Sequence, residues 1–144
     1  MTHTAEKSRR SCTRATPQRT RTALKTLIES LASGVTPTNE PKRLECGAPD
    51  FAVSRKAAHG PVTLGHVEAK DVGKDLNEIE EGRGHDGERF KRYLSALPNL
   101  ILTDYLEFRW YVDGHRRGDP ARLDCVSKAG KPILPTKRFF IFLP

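Results

Sequence analysis

Two acidic residues and a lysine near the middle of the chain have the types and spacing needed for metal-assisted hydrolysis. Asp50 follows Pro49 at the head of one predicted strand, and Glu68-Ala69-Lys70 closes the next. Side chains alternate faces along a strand, so Glu68 and Lys70 point to the same side, about 7 Å apart along the chain. If the two strands are neighbours, Asp50 reaches the same place.

The chemistry that this group could perform depends on hard oxygen ligands. Two carboxylates and the Ala69 carbonyl suit Mg²⁺, with water in the remaining positions. Such a metal polarises a phosphate and lowers the pKa of a bound water. Lys70 would hold or help deprotonate that water and offset charge in the transition state. The alternative is a strand end with solvated salt bridges. A second match, Glu40-Pro41-Lys42, has no Pro-Asp upstream and is interpreted as chance.

Short helices and strands must position these residues. Four apolar residues with helical spacing predict a first helix that starts at Thr22 and ends at Gly34: Leu24, Leu27, Ile28 and Leu31. Turn residues then separate three predicted strands, over residues 43–46, 50–54 and 62–70. Residues 72–87 are acidic and rich in glycine, which predicts a loop with room for a short helix.

A second helix and two further strands complete the predicted domain. Asp86 can cap a helix that Pro98 stops and whose apolar face consists of Phe90, Tyr93, Leu94 and Leu97. Residues 100–103 and 106–112 predict strands, and Asp113-Gly114 predicts a hairpin turn. This order predicts an α/β fold, a small domain whose mixed central sheet of about five strands is flanked by helices.

Length and charge restrict the domain organisation. The 144 residues suit one ordinary domain, and the net charge is +7. Residues 1–21 contribute +5 of this charge and predict a disordered basic arm. Residues 22–114 are predicted to form the α/β domain, and residues 115–144 an irregular C-terminal extension that ends either on an edge strand or short of its natural continuation. The basic arm alone could also account for nucleic-acid affinity.

Cysteine usage and hydropathy exclude several classes of protein. The three cysteines, Cys12, Cys46 and Cys125, are far apart and form no CxxC pair. This pattern argues against a disulfide scaffold or a zinc ribbon and predicts a reducing, cytoplasmic setting. No apolar run approaches the roughly 18 residues that cross a bilayer, and no signal-peptide core precedes Leu24. We therefore expect no membrane partner.

Four longer runs of sequence carry a family resemblance: residues 38–43, 47–51, 66–74 and 97–110. They resemble the PD-(D/E)XK nuclease superfamily, and more narrowly a nuclease-like segment at the N-terminus of fused restriction–modification enzymes that carry an adenine-type DNA methyltransferase. The resemblance extends over residues 22–114, about two-thirds of the 144 residues.

The resemblance implies a restriction-endonuclease-like fold and a role for each residue of the group. Asp50 and Glu68 become metal ligands and Lys70 the catalytic lysine, while Glu29 on the first helix matches an acidic position that completes the metal site in some members. The implied activity is magnesium-dependent cleavage of double-stranded DNA. The implied partner is a methyltransferase or another restriction–modification subunit, and cutting both strands with so small a site would favour a homodimer.

Three basic residues of the second helix are predicted to contact DNA phosphates, with a solvated helix face as the alternative: Arg89, Lys91 and Arg92. Arg89 also departs from the resemblance, because similar nucleases often have a glutamine there, four residues before Tyr93. An arginine at this position either contacts a phosphate or weakens the site. The second possibility gives an alternative function, a catalytically weak or inactive nuclease-like DNA-binding module.

Overall fold

The computed structural model describes residues 17–39 and 41–122, which form one mixed sheet with helices on both faces. The elements are α1 (Pro17–Leu31), β1 (Val35–Asn39), β2 (Phe51–Ala57), β3 (Gly60–Ala69), α2 (Leu76–Glu80), α3 (Gly84–Ala96), β4 (Asn99–Thr103), β5 (Glu107–Val112) and β6 (His115–Arg122). The predicted α/β class is confirmed. The sheet has six strands among the described residues, one more than the sequence indicated.

Strand order follows the order of the sequence, β1-β2-β3-β4-β5-β6. Every neighbouring pair is antiparallel except β3 and β4, which are parallel. Parallel neighbours need a crossover rather than a tight turn, and α2 and α3 provide it. The crossover places α3 over the sheet near the end of β3.

The central strand β4 supplies side chains to a hydrophobic core on each face of the sheet. Leu100 and Leu102 are fully buried beneath α2 and α3, together with Phe90 and Tyr93. Ile101 points to the opposite face, where α1 packs. Burial on both faces explains why this strand is a continuous apolar run and was predictable from the sequence.

The first helix begins earlier than the sequence indicated. Pro17 starts α1, so residues 17–21, assigned to a disordered arm, are helical in the structure. Proline suits a first helical turn because its missing N–H has no helical partner there. Arg21 on this turn bonds to Asp50, which a charged residue in a disordered arm would not do. Residues 1–16 lie outside the described part of the chain.

One predicted strand is wrong and another was missed near the start of the sheet. Residues 43–46 form a loop in which Leu44 and Gly47 make an isolated bridge. The first strand is β1 instead, which contains Pro37 and lies at the edge of the sheet. A proline inside a short, half-exposed strand suppresses the alternating pattern by which strands are found, although an edge position tolerates it.

The region after residue 114 also differs from the prediction of an irregular extension. β6 pairs with β5 through Asp113 and Gly114, whose φ angles of 49° and 79° give the turn that the sequence predicted. Most of β6 is polar and exposed, so it has no apolar alternation. The remaining predicted extension, residues 123–144, lies outside the described residues. None of the described helices combines the length and apolar character needed to cross a membrane.

We expect Leu102→Ala to lower the free energy of unfolding by about 2–5 kcal/mol, because the truncation leaves a cavity in a closely packed core. The matched control is Val62→Ala, because Val62 is 54% exposed on β3; its effect should stay within about 0.5 kcal/mol. Urea denaturation followed by tryptophan fluorescence measures both. An equal loss of unfolding free energy in Leu102→Ala and Val62→Ala would contradict the central position of β4.

Candidate functional site

A buried ion pair stands at the end of β3, on the face covered by α3. The Nζ of Lys70 donates to Glu68 Oε1 at 2.7 Å and to Asp86 Oδ1 at 2.9 Å. The Glu68 and Lys70 side chains are only 3% and 6% exposed. The main-chain N–H of Lys70 donates to the Thr103 carbonyl at 2.7 Å, and this bond to the end of β4 fixes the position of the lysine.

Asp50 joins this pair from the head of β2. The antiparallel register places Phe51 opposite Val67, so the preceding residue, Asp50, comes beside Glu68. One oxygen of Asp50 accepts the main-chain N–H of Ala69 at 2.8 Å, and the other accepts Arg21 Nη2 at 2.8 Å. The structure therefore brings Asp50, Glu68 and Lys70 together. Their roles in metal binding and catalysis remain predictions.

Arg89 faces this group rather than an exposed helix surface. Its Nη2 lies 3.1 Å from Glu68 Oε1 and 3.4 Å from Asp86 Oδ1. By contrast, Lys91 and Arg92 are exposed on α3. The structure thus separates Arg89, which bonds the buried acid, from the two residues that remain accessible to a DNA backbone.

Glu29 does not join the other two acids. It is exposed on α1 and lies 3.9 Å from Lys25, one turn earlier on the same helix. Arg21 is the α1 residue that reaches Asp50, and Glu29 lies eight residues further on, about 12 Å along the helix axis. The structure gives no support to the metal role that the resemblance implies for Glu29.

Two members of the group, Arg21 and Asp86, were not predicted from the sequence. Arg21 fell within the predicted arm, although its spacing of three residues from Leu24 continues the helical pattern. Asp86 was expected to cap the second helix, but the N-cap is Arg83. Asp86 therefore lies in the first turn of α3, and its carboxylate accepts a hydrogen bond from Lys70.

Burial and neighbouring charges shift the acid pKa values in opposite directions. Burial raises the pKa of Glu68, Lys70 partly opposes this shift, and the charge of Asp50 adds to it. The hydrogen bond from Lys70 lowers the pKa of Asp86. Desolvation disfavours a carboxylate and a donated hydrogen bond favours it. Lys70 therefore stabilises the ionised form of both acids.

Tyr93 adds an unsatisfied hydroxyl group beside the acids. Its side chain is fully buried, and the hydroxyl has no hydrogen-bond partner among the described residues. Burial, with the charge of Glu68 as a second cause, raises the pKa of Tyr93 to about 12. A Cβ atom added to Gly47 would lie 3.2 Å from this hydroxyl, so the glycine gives the tyrosine room. Unsatisfied buried hydroxyl groups are rare and point to a missing partner.

The donor chemistry of the group fits Mg²⁺. Asp50 and Glu68 would hold the ion through carboxylate oxygens, with the Ala69 carbonyl as a further hard donor. Within residues 17–39 and 41–122, no three His, Cys, Asp or Glu side chains are arranged to hold a metal. A magnesium site here would therefore consist of two carboxylates completed by main-chain, water or phosphate oxygens, which is common for this ion.

No protein-family model and no curated protein matches the chain. Its fold is similar to part of a chain in a cryo-electron-microscopy structure of a DrdV–DNA complex, with a TM-score of 0.51 and 18% sequence identity. The match covers 73% of this chain and 10% of that chain, so the protein spans about a tenth of the length of the one it matches. At this identity the likeness concerns the fold.

We expect Lys70→Met to raise the pKa of Asp86, because the hydrogen bond from Lys70 is the main cause that lowers it. A lowered pKa in the folded state means that ionised Asp86 stabilises the fold above its unfolded pKa and loses this contribution as pH falls through its folded pKa. Carbon-detected NMR titration of the side-chain carboxyl groups measures the shift. Lys25→Met is the control, and an Asp86 pKa unchanged by Lys70→Met would contradict the assignment.

Proposed function

We propose that the protein is a magnesium-dependent DNA endonuclease of restriction type that hydrolyses phosphodiester bonds at the group formed by Asp50, Glu68 and Lys70. The observation that carries this proposal is their convergence, since Asp50 accepts a hydrogen bond from Ala69, the residue between the other two. The likeness of the fold to part of a protein solved in complex with DNA supports DNA as the substrate.

Each residue of the group has a distinct role in this proposal. Asp50 and Glu68 provide the carboxylate oxygens for the ion, which when bound supplies a Lewis acid for the phosphate and a water of lowered pKa. Lys70 is held between Glu68 and Asp86 by two hydrogen bonds. Its ammonium group orients the attacking water and stabilises the negative charge that develops on the phosphate oxygens.

The proposal also includes DNA contacts and protein partners outside the group of Asp50, Glu68 and Lys70. Lys91 and Arg92 are exposed on α3 and provide positive charge for phosphate contacts. We propose that a methyltransferase or another restriction–modification subunit supplies sequence recognition. Cutting both strands with one small site would favour a homodimer.

We expect the purified protein to nick supercoiled plasmid in the presence of Mg²⁺ and to stop when EDTA is added. Lys70→Met should reduce the cleavage rate at least about 100-fold, because it removes the charge that orients water and stabilises the transition state. Lys25→Met is the matched control and should cleave at the wild-type rate. Circular dichroism checks that both variants are folded. Wild-type cleavage by folded Lys70→Met protein would refute the proposal.

A second candidate function is a nuclease-like module that binds DNA and no longer cuts it. The observation that favours it is that arginines already neutralise both acids, Arg21 on Asp50 and Arg89 on Glu68. Such a module would contact DNA through its basic surface and would have no use for a divalent cation. It would serve as an assembly domain of a larger restriction system.

Fluorescence anisotropy of a labelled DNA duplex separates the two functions. An endonuclease that places a metal against the phosphate should bind the duplex more tightly in Ca²⁺ than in EDTA at the same ionic strength, since Ca²⁺ also prefers oxygen ligands. The inactive module should bind the duplex with the same affinity in Ca²⁺ and in EDTA. Stronger binding in Ca²⁺ that disappears in Asp50→Asn would favour the endonuclease, and equal binding throughout would favour the module.

A further inference from the structure

The candidate site has no excess of negative charge without a metal. Its three carboxylates, those of Asp50, Glu68 and Asp86, all lie within 4 Å of basic nitrogens. The basic side chains that neutralise them are Arg21, Lys70, Arg89 and, at 3.8 Å, Lys74. A site with excess negative charge attracts a divalent cation, whereas this group has no such excess. Free Mg²⁺ would meet repulsion from the bound guanidinium groups.

Because Glu68 is buried, its carboxylate needs positively charged partners. Its side chain is 3% exposed, and an ionised carboxylate at such depth needs a partner charge because water cannot solvate it. Lys70 and Arg89 both supply that charge. A cation that took the place of Arg89 beside Glu68 would leave Asp86, 3.4 Å away, as an acidic partner of the guanidinium group.

The two arginines are placed to exchange partners, whereas Lys70 is not. The side chains of Arg21 and Arg89 are 37% and 34% exposed, against 6% for Lys70. They approach the group from different helices, α1 and α3. The Nε of Arg89 is buried and has no partner among the described residues, so this guanidinium group still has an unused donor. Guanidinium groups bind phosphate oxygens through two parallel hydrogen bonds.

We propose that Arg21 and Arg89 are exchangeable counter-cations of the candidate site. In the free protein Arg21 pairs with Asp50, and Arg89 pairs with Glu68 and, at 3.4 Å, with Asp86. When DNA and a divalent cation bind together, the two arginines turn from the carboxylates to the phosphate backbone. Metal binding is thereby coupled to DNA binding, and the free protein has little affinity for Mg²⁺. This inference rests on the proposed endonuclease function.

The variant Arg89→Gln tests the proposal directly. A glutamine amide can still donate a hydrogen bond to Glu68, but it carries no charge, and it is the residue type that similar nucleases often have at this place. Arg21→Gln makes the same change at the other acid, from a different helix. Having both variants keeps the test valid if one of them folds poorly, which thermal unfolding will show.

The matched control is Arg117→Gln on β6. It removes the same charge from an exposed position, three strands away from β3 in the sheet, which corresponds to about 14 Å. A general effect of net charge on metal affinity would appear equally in this control. An effect of the site itself would appear only in Arg21→Gln and Arg89→Gln.

Isothermal titration of the DNA-free protein with Mg²⁺ is the experiment. We expect weak binding by the wild type and by Arg117→Gln, and binding at least about tenfold tighter by Arg89→Gln and Arg21→Gln, because a positive charge next to the ion has been removed. A second titration, with Ca²⁺ and a DNA duplex present, should show strong metal binding by the wild type, since coupling between two ligands is reciprocal.

The outcomes distinguish failure of this inference from failure of the proposed function. If the wild type cleaves DNA but binds Mg²⁺ without DNA as tightly as the two arginine variants, the counter-cation role is overturned and the endonuclease function stands. If no variant binds a divalent cation with or without DNA and none cleaves, both proposals are overturned. The exchange is supported if, without DNA, only the two arginine variants bind Mg²⁺ more tightly than the wild type, and if the wild type binds the metal strongly once DNA is present.

Discussion

The ammonium group of Lys70, buried between Glu68 and Asp86, is the interaction on which the site depends. Two charges at this depth are stable only when their partners and hydrogen bonds are in place. β3 and β4 supply the main-chain frame, because the Lys70 N–H donates to the carbonyl of Thr103 at 2.7 Å. The ion pair is thus anchored to the parallel part of the sheet.

The parallel arrangement of β3 and β4 also determines which other residues reach the group. The crossover that it requires carries α3 over the end of β3, so Asp86, Arg89 and Tyr93 all face the acids. From the other side of the sheet, α1 brings Arg21 to Asp50. The crossover therefore accounts for Asp86 and Arg89. The antiparallel pairing of β2 with β3 brings Asp50 beside Glu68.

The two candidate functions share this geometry and differ in what the arginines do. If Arg21 and Arg89 leave Asp50 and Glu68 when DNA arrives, the acids become available to a metal. If they remain bound, the same residues form a stable salt-bridge network on a DNA-binding surface. Which function applies depends on the free energy of exchanging the carboxylate partner of each arginine for a phosphate, because both anions pair well with a guanidinium group.

The sequence by itself determined the α/β class and the proximity of Asp50 to Glu68 and Lys70, because strand alternation and hairpin pairing depend on residues that are close in sequence. Only the tertiary structure decided that Arg21 reaches Asp50 and that Glu29, eight residues further along α1, does not. The proline-containing β1 and the polar β6 also escaped prediction, since neither has an apolar period. Partners from distant elements depend on how helices pack on the sheet, and residue spacing along one element carries no record of that packing.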